Sequence, residues 1–217
     1  MSFKGAIFDL DGVLVNTVPL HFKAWKRMFN EYGKEFNFTD YKEKVDGIPR
    51  LDGARAILTD ILEDKLKEAA TKKQGYYLEF LKQEGVEVYQ TSVELIKQLR
   101  EKGVKIAVIS SSRNCHFILE KVNLLKLIDT EVNGNDITKG KPDPQIFLMA
   151  MQQLNLNATE CIVFEDAVLG VEAAKRGGIF AIGIDRHNDP ERLKKADLII
   201  KDLSEVDFNK LETLLQR

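Results

Sequence analysis

Apolar positions follow two different rhythms along the chain. Short, nearly continuous apolar runs recur at 6–10 (AIFDL), 104–110 (VKIAVIS), 130–134 (TEVNG), 161–166 (CIVFED), 180–184 (FAIGI) and 197–201 (DLIIK). Runs such as IAVI and IVF have the length and β-branching of strands buried on both faces. Between them, from residue 114 onward, helical spacing appears at 114–126, 144–154, 167–177 and 207–216. Strand–helix alternation of this kind predicts an α/β fold, a Rossmann-like parallel sheet with helices on both faces. Residues 17–86 carry no strand pattern. They show helical spacing over 19–33, 38–47, 49–62 and 63–85, with Pro19 suited to a first turn and Gly33, Gly47 and Gly85 at helix stops. The expected organisation is a core of 1–16 and 87–217, interrupted by a small four-helix cap at 17–86.

Composition narrows the function classes. The chain has 217 residues, and its 34 acidic against 32 basic residues leave a net charge of −2, so no basic excess points to nucleic acid or a membrane surface. No apolar run approaches membrane-spanning length, and the N-terminal MSFKGAIFDLDG lacks the pattern of a signal peptide. Cys115 and Cys161 are too few for a disulfide framework, and no Cys/His pair has zinc spacing. A cytoplasmic monomer is the expectation.

The chemistry should sit at the C-terminal ends of the strands, where open parallel sheets bind ligands. Those ends carry Asp9-Leu10-Asp11-Gly12, Ser110-Ser111-Ser112, and Glu165-Asp166; Lys141 lies in Gly140-Lys141-Pro142-Asp143-Pro144, just before a helix. Clustered carboxylates repel unless a cation neutralises them, and an all-oxygen set suits Mg²⁺. With the metal present, one aspartate can attack phosphorus and a second can move a proton. The serine and the lysine can stabilise charge on the transferring phosphoryl oxygens.

These segments, taken in order with the GVEAAKRGG that follows, resemble the four motifs of the haloacid dehalogenase superfamily. The resemblance implies that Asp9 is the nucleophile, Asp11 the general acid/base, and that Asp9, Asp11 and Asp166 bind Mg²⁺, with Glu165 a ligand or the neighbour of one. Asp11 argues against dehalogenation, since that branch lacks an acid/base aspartate there. Thr17–Trp25 and Asp46-Gly47-Ile48-Pro49-Arg50 further resemble cap segments of β-phosphoglucomutase-type members. This implies a small phosphorylated sugar as substrate. Arg50 would hold its distal phosphate, His21 would assist Asp11, and Trp25 and Gly47 would shape the sugar pocket. Ser112, Arg113 and Asn114 would contact substrate, and Thr17, Ser111 and Lys73 complete the set. The activity implied is conversion of β-glucose 1-phosphate to glucose 6-phosphate, with a sugar-phosphate phosphatase as the alternative.

Plainer readings stand beside these. Trp25 also fits a cap core, Arg50 a surface pair with Asp46 or Asp52, and Lys73, near Lys67 and Lys72, a solvated face. A phospho-aspartate switch module joins similar residues, but in about half this length and without a helical insertion. Three positions depart from the family pattern: Asn16 for an aspartate, Ala167 for a serine, and Gly53 for a small hydroxyl residue that helps hold the distal phosphate in mutases.

Overall fold

The computed structural model describes residues 2–45 and 48–216, so Asp46 and Gly47 lie outside the described residues. The chain divides into two compact units, one of Met1–Asn16 with Glu87–Arg217, the other of Thr17–Val86. It opens with β1 (Gly5–Asp9) and β2 (Val15–Asn16). Four helices follow: α1 (Val18–Glu31), α2 (Phe38–Asp40, continued by a π-helical turn Tyr41–Val45), α3 (Arg50–Ile57) and α4 (Glu63–Glu84). The first unit then resumes with β3 (Glu87–Val88), α5 (Gln90–Glu101), β4 (Lys105–Ser110), α6 (Cys115–Lys121) and β5 (Thr130–Asn133). It closes with α7 (Gln145–Leu154), β6 (Cys161–Glu165), α8 (Val168–Arg176), β7 (Phe180–Ile184), β8 (Leu198–Ile200) and α9 (Phe208–Leu215).

All six apolar runs are strands of one parallel sheet, in the order β5-β4-β1-β6-β7-β8. β1 is central and every one of its residues is buried, as its continuous apolar run requires. Phe8 pairs in register with Phe164, and the two rings stack 4.5 Å apart. One face of the sheet packs through Ile7, Ile109 and Val163 on Phe147 and Ala150 of α7 and Ala173 and Ala174 of α8. Each such large side chain contributes roughly 1.5–3 kcal/mol on burial. Because β1 lies between β4 and β6, the ends of these three strands meet where the winding of the sheet reverses.

The structure adds elements that the apolar pattern left unassigned. β2 and β3 form an antiparallel ribbon at the two chain crossings, pairing Val15 with Val88 and Asn16 with Glu87. Two-residue strands are too short to show a period. Helix α5 is a further such element, with Val93, Ile96 and Leu99 forming its buried stripe at three-residue spacing. Other helices are shorter than their patterns. α6 ends at Lys121, followed by Asn123 in a left-handed conformation (φ 58°), and α3 ends at Ile57.

The helical unit has its own core. Leu20, Ala24, Trp25, Met28 and Phe29 form the buried stripe of α1, and Leu66, Ala69, Ala70, Lys73, Tyr77 and Leu81 that of α4. Trp25 is 3 % exposed and stacks on Phe29, and Phe36, Tyr41, Ala54 and Leu58 close the same cluster.

Candidate active site

Asp9 ends β1, almost fully buried, and its Oδ1 accepts a hydrogen bond from Lys141 Nζ at 2.6 Å. The same ammonium donates to Glu165 Oε1 at 3.0 Å, so one lysine joins the ends of β1 and β6. Asp11 sits beyond the strand, where its Oδ2 accepts from Ser110 Oγ at 2.9 Å. Ser110 is fully buried at the end of β4, and its Oγ accepts in turn from the Ser112 backbone N–H at 3.0 Å. Ser112 Oγ accepts from the Asn114 N–H, while Ser111 and Arg113 are exposed beside them.

Asp9, Glu165 and Asp166 each bring a carboxylate oxygen to within 4.8 Å of the others. The Asp11 carboxylate is not in that group; its place is with Ser110. Two glycines let the cluster form. A Cβ on Gly12, whose φ is +78°, would come within 1.9 Å of Asp166 Oδ2, and one on Gly170 within 1.5 Å of Glu165 Oε1. Neither glycine figured among the candidate residues; Gly170 was legible only as a small residue in the first turn of the helix after Glu165-Asp166.

Charge is unbalanced here. Burial first, then Glu165, pushes the Asp9 carboxyl well above the usual range, with Lys141 opposing. Burial raises Glu165 to about 7, where Lys141 again opposes and Asp166 adds to the rise. Burial alone would depress the Lys141 ammonium, but Asp9 and Glu165 outweigh it and hold the group protonated. Glu165 Oε2 is buried without a hydrogen-bond partner among the described residues. Three clustered carboxylates therefore share one ammonium, and a buried oxygen lacks a partner among the described residues. A hard divalent cation fits this donor set, satisfying the oxygen and offsetting the charge.

The helical unit gathers a second set. His21 Nδ1 lies 2.7 Å from Lys73 Nζ; an ammonium only donates, so Nδ1 accepts and the ring proton is on Nε2. His21 stacks on Tyr77 at 4.2 Å, and burial, then Lys73 and Arg50, hold its pKa well below 6.5. Lys73 is 4 % exposed, with its ammonium 4.9 Å from the Trp25 ring centre and 5.2 Å from that of Tyr77, which removes the solvated-face reading. Arg50 donates to Gln74 Oε1 at 2.5 Å, while Asp52 pairs with Arg55. Thr17 is buried before α1. Gly53 packs so closely on Trp25 that a Cβ would lie 2.8 Å from the indole. Gly47 is outside the described residues. The cysteines are buried, and burial pushes the Cys161 thiol up to about 12. No helix among the described residues is long and apolar enough to cross a membrane.

Known proteins share this chain's sequence pattern and fold. The family model for haloacid dehalogenase-like hydrolases matches residues 6–184. The phosphorylated carbohydrates phosphatase of Thermotoga maritima is 33% identical over 98% of this chain and all of its own length. The β-phosphoglucomutase of Bacillus subtilis is 31% identical over 94% of this chain and 91% of its own. The crystal structure of a β-phosphoglucomutase from Clostridium difficile superposes with a TM-score of 0.87 at 26% identity, covering 99% of this chain and 97% of that one. Asp9, Asp11, Ser110, Lys141 and Glu165 are thus gathered by the hydrogen bonds described above in a matching fold, and the chain belongs to the haloacid dehalogenase-like hydrolase family as one of its enzymes.

Proposed function

We propose that this enzyme transfers a phosphoryl group on a phosphorylated sugar through an aspartyl-phosphate at Asp9, with Mg²⁺ held by Asp9, Glu165 and Asp166. The observation that carries the reading is the pair of hydrogen bonds from Lys141 to Asp9 and Glu165, set beside the Ser110–Asp11 bond. When bound, the metal supplies positive charge against the transferring phosphoryl oxygens. With Oδ1 held by Lys141, Asp9 Oδ2 forms the new bond to phosphorus while the bond from phosphorus to the sugar oxygen breaks. Asp11 donates a proton to that departing oxygen. Ser110 and Lys141 orient the phosphoryl group. In the second half-reaction Asp11 takes a proton from the acceptor oxygen that attacks phospho-Asp9.

The acceptor separates two activities. In the mutase reading it is a hydroxyl of a hexose monophosphate, giving a bisphosphate that returns a phosphate to Asp9 and converts β-glucose 1-phosphate to glucose 6-phosphate. Arg50 would then bind the remote phosphate, and His21, Trp25, Lys73, Arg113 and Asn114 the sugar. Relatives named as mutases support this reading. In the phosphatase reading the acceptor is water. It is favoured by Gly53, where a distal-phosphate hydroxyl is missing and the indole of Trp25 occupies the space that a side chain would need. Relatives named as phosphatases support it equally. A coupled assay for glucose 6-phosphate from β-glucose 1-phosphate with a bisphosphate primer, run beside inorganic phosphate release, decides. Mutase turnover no faster than that of Asp11→Ala, with phosphate released, leaves the phosphatase.

A further inference from the structure

Arg186, just after β7, reaches the turn that carries Asp11. Its Nε donates to the Gly12 carbonyl at 2.9 Å, and its guanidinium carbon lies 3.8 Å from the centre of the Tyr89 ring. Its Nη1 reaches the Lys201 carbonyl and the Asp202 carboxylate, each at 3.5 Å, and Asp202 also accepts from Thr91 Oγ1 at 3.0 Å. The side chain is 17% exposed.

The turn beneath it is held at every step. Gly12 N–H donates to the Val15 carbonyl at 2.8 Å, and its Cα abuts the Asp166 carboxylate. Ser92 Oγ donates to the Val13 carbonyl at 2.6 Å, and Tyr89 N–H to the Leu14 carbonyl at 2.9 Å. Among the described side chains, Arg186 is the one that bonds the Gly12 carbonyl, and its planar head also rests on the ring of Tyr89. An ammonium could supply the charge but not this directed, stacked contact.

We propose that Arg186 is a positioning residue for proton transfer. It fixes the Gly12 peptide, and with it the turn from Asp9 to Val15, so that Asp11 is presented to the reacting oxygen. This rests on the phosphoryl-transfer reading above. A misplacement of about 1 Å can cost about 10²-fold in rate, and the loss should fall on the step that needs the proton.

The test compares wild type with Arg186→Met and Arg186→Lys on two esters with Mg²⁺. Glucose 6-phosphate has a leaving oxygen that needs a proton, and p-nitrophenyl phosphate has one that leaves without it. Phosphoenzyme formation is measured in single turnovers, and amide hydrogen exchange is followed over residues 8–16 and, as a control, 105–110. The expected result for Arg186→Met is a loss of about 10²-fold with the sugar phosphate, a loss of no more than about threefold with the aryl ester, and faster exchange confined to 8–16. Arg186→Lys should recover little. Equal losses on both esters, or no loss, overturn the assignment while leaving the phosphoryl-transfer reading intact. If wild type forms no phosphoenzyme from either ester, that reading fails instead. Unchanged exchange over 8–16 in Arg186→Met overturns the Arg186 assignment whatever the activity.

Discussion

Each unit sets one lysine deep in its fold, and the two solve the same problem differently. Lys141 lies between two buried carboxylates, at 2.6 and 3.0 Å. Lys73 lies against a neutral imidazole at 2.7 Å and over the faces of Trp25 and Tyr77. In the first arrangement burial, with the neighbouring acids adding to it and Lys141 opposing, lifts Asp9 and Glu165 above their usual range. In the second, burial first and then the positive charges of Lys73 and Arg50 drive His21 down. Under the proposed function the first site would receive the metal and the second the distal phosphate.

The largest difference should appear on removing the two charges. Lys141→Met leaves Asp9 and Glu165 buried without their counter-ion and should cost about 3–5 kcal/mol in urea unfolding, together with activity. Lys73→Met removes a cation–π contact that an apolar side chain partly replaces, and should cost no more than about 2 kcal/mol. Equal costs would mean that the two environments are equivalent. Gly170→Ala follows: helix propensity favours alanine by about 1 kcal/mol, but the methyl group overlaps Glu165 Oε1. A net loss of about 1–3 kcal/mol and weaker Mg²⁺ binding by titration calorimetry are expected.

The pH dependence of the two units should have opposite signs. Glu165 is raised from 4.5 to about 7 in the fold. Without metal its contribution is fully present below 4.5 and is lost as pH rises through 7, at up to about 1.4 kcal/mol per pH unit. His21 is depressed, so its contribution is present above 6.5 and is lost as pH falls below that value. Hydrogen exchange in chelator at acid and neutral pH should therefore show β1 and β6 better protected in acid, and α1 and α4 better protected at neutral pH. Added Mg²⁺ should remove the first trend and leave the second. The smallest effect concerns Ala167, which caps α8 with no side-chain acceptor. Ala167→Ser should raise stability by about 1 kcal/mol, read as a higher urea midpoint at unchanged slope.

The core was the more legible unit because its signals are local. Continuous apolar runs mark buried strands, and the polar residue ending each run is the site residue. Asp9, Ser110 and Glu165 are all found this way. The remainder depends on contacts distant in sequence. Nothing near Gly12 announces Arg186, 174 residues away, although Asp185-Arg186 also ends a strand and the same rule would have flagged it. In the helical unit the lysine-rich run around Lys73 suggested a surface. The better signal was its spacing, seven residues after Leu66 and four before Tyr77, which puts it on the buried stripe of α4. Arg50 and Gln74 meet only through packing, and no periodicity in either segment points to the other.

The central claim is that phosphate passes through Asp9, and trapping it is the most direct measurement. The enzyme is mixed with glucose 1,6-bisphosphate and Mg²⁺, quenched in acid within a turnover, digested, and mapped by peptide mass. One phosphoryl group is expected on the peptide carrying Asp9, absent in Asp9→Asn and absent when EDTA replaces the metal. A phosphoryl group on any other residue, or an Asp9→Asn enzyme that still turns over, would contradict it.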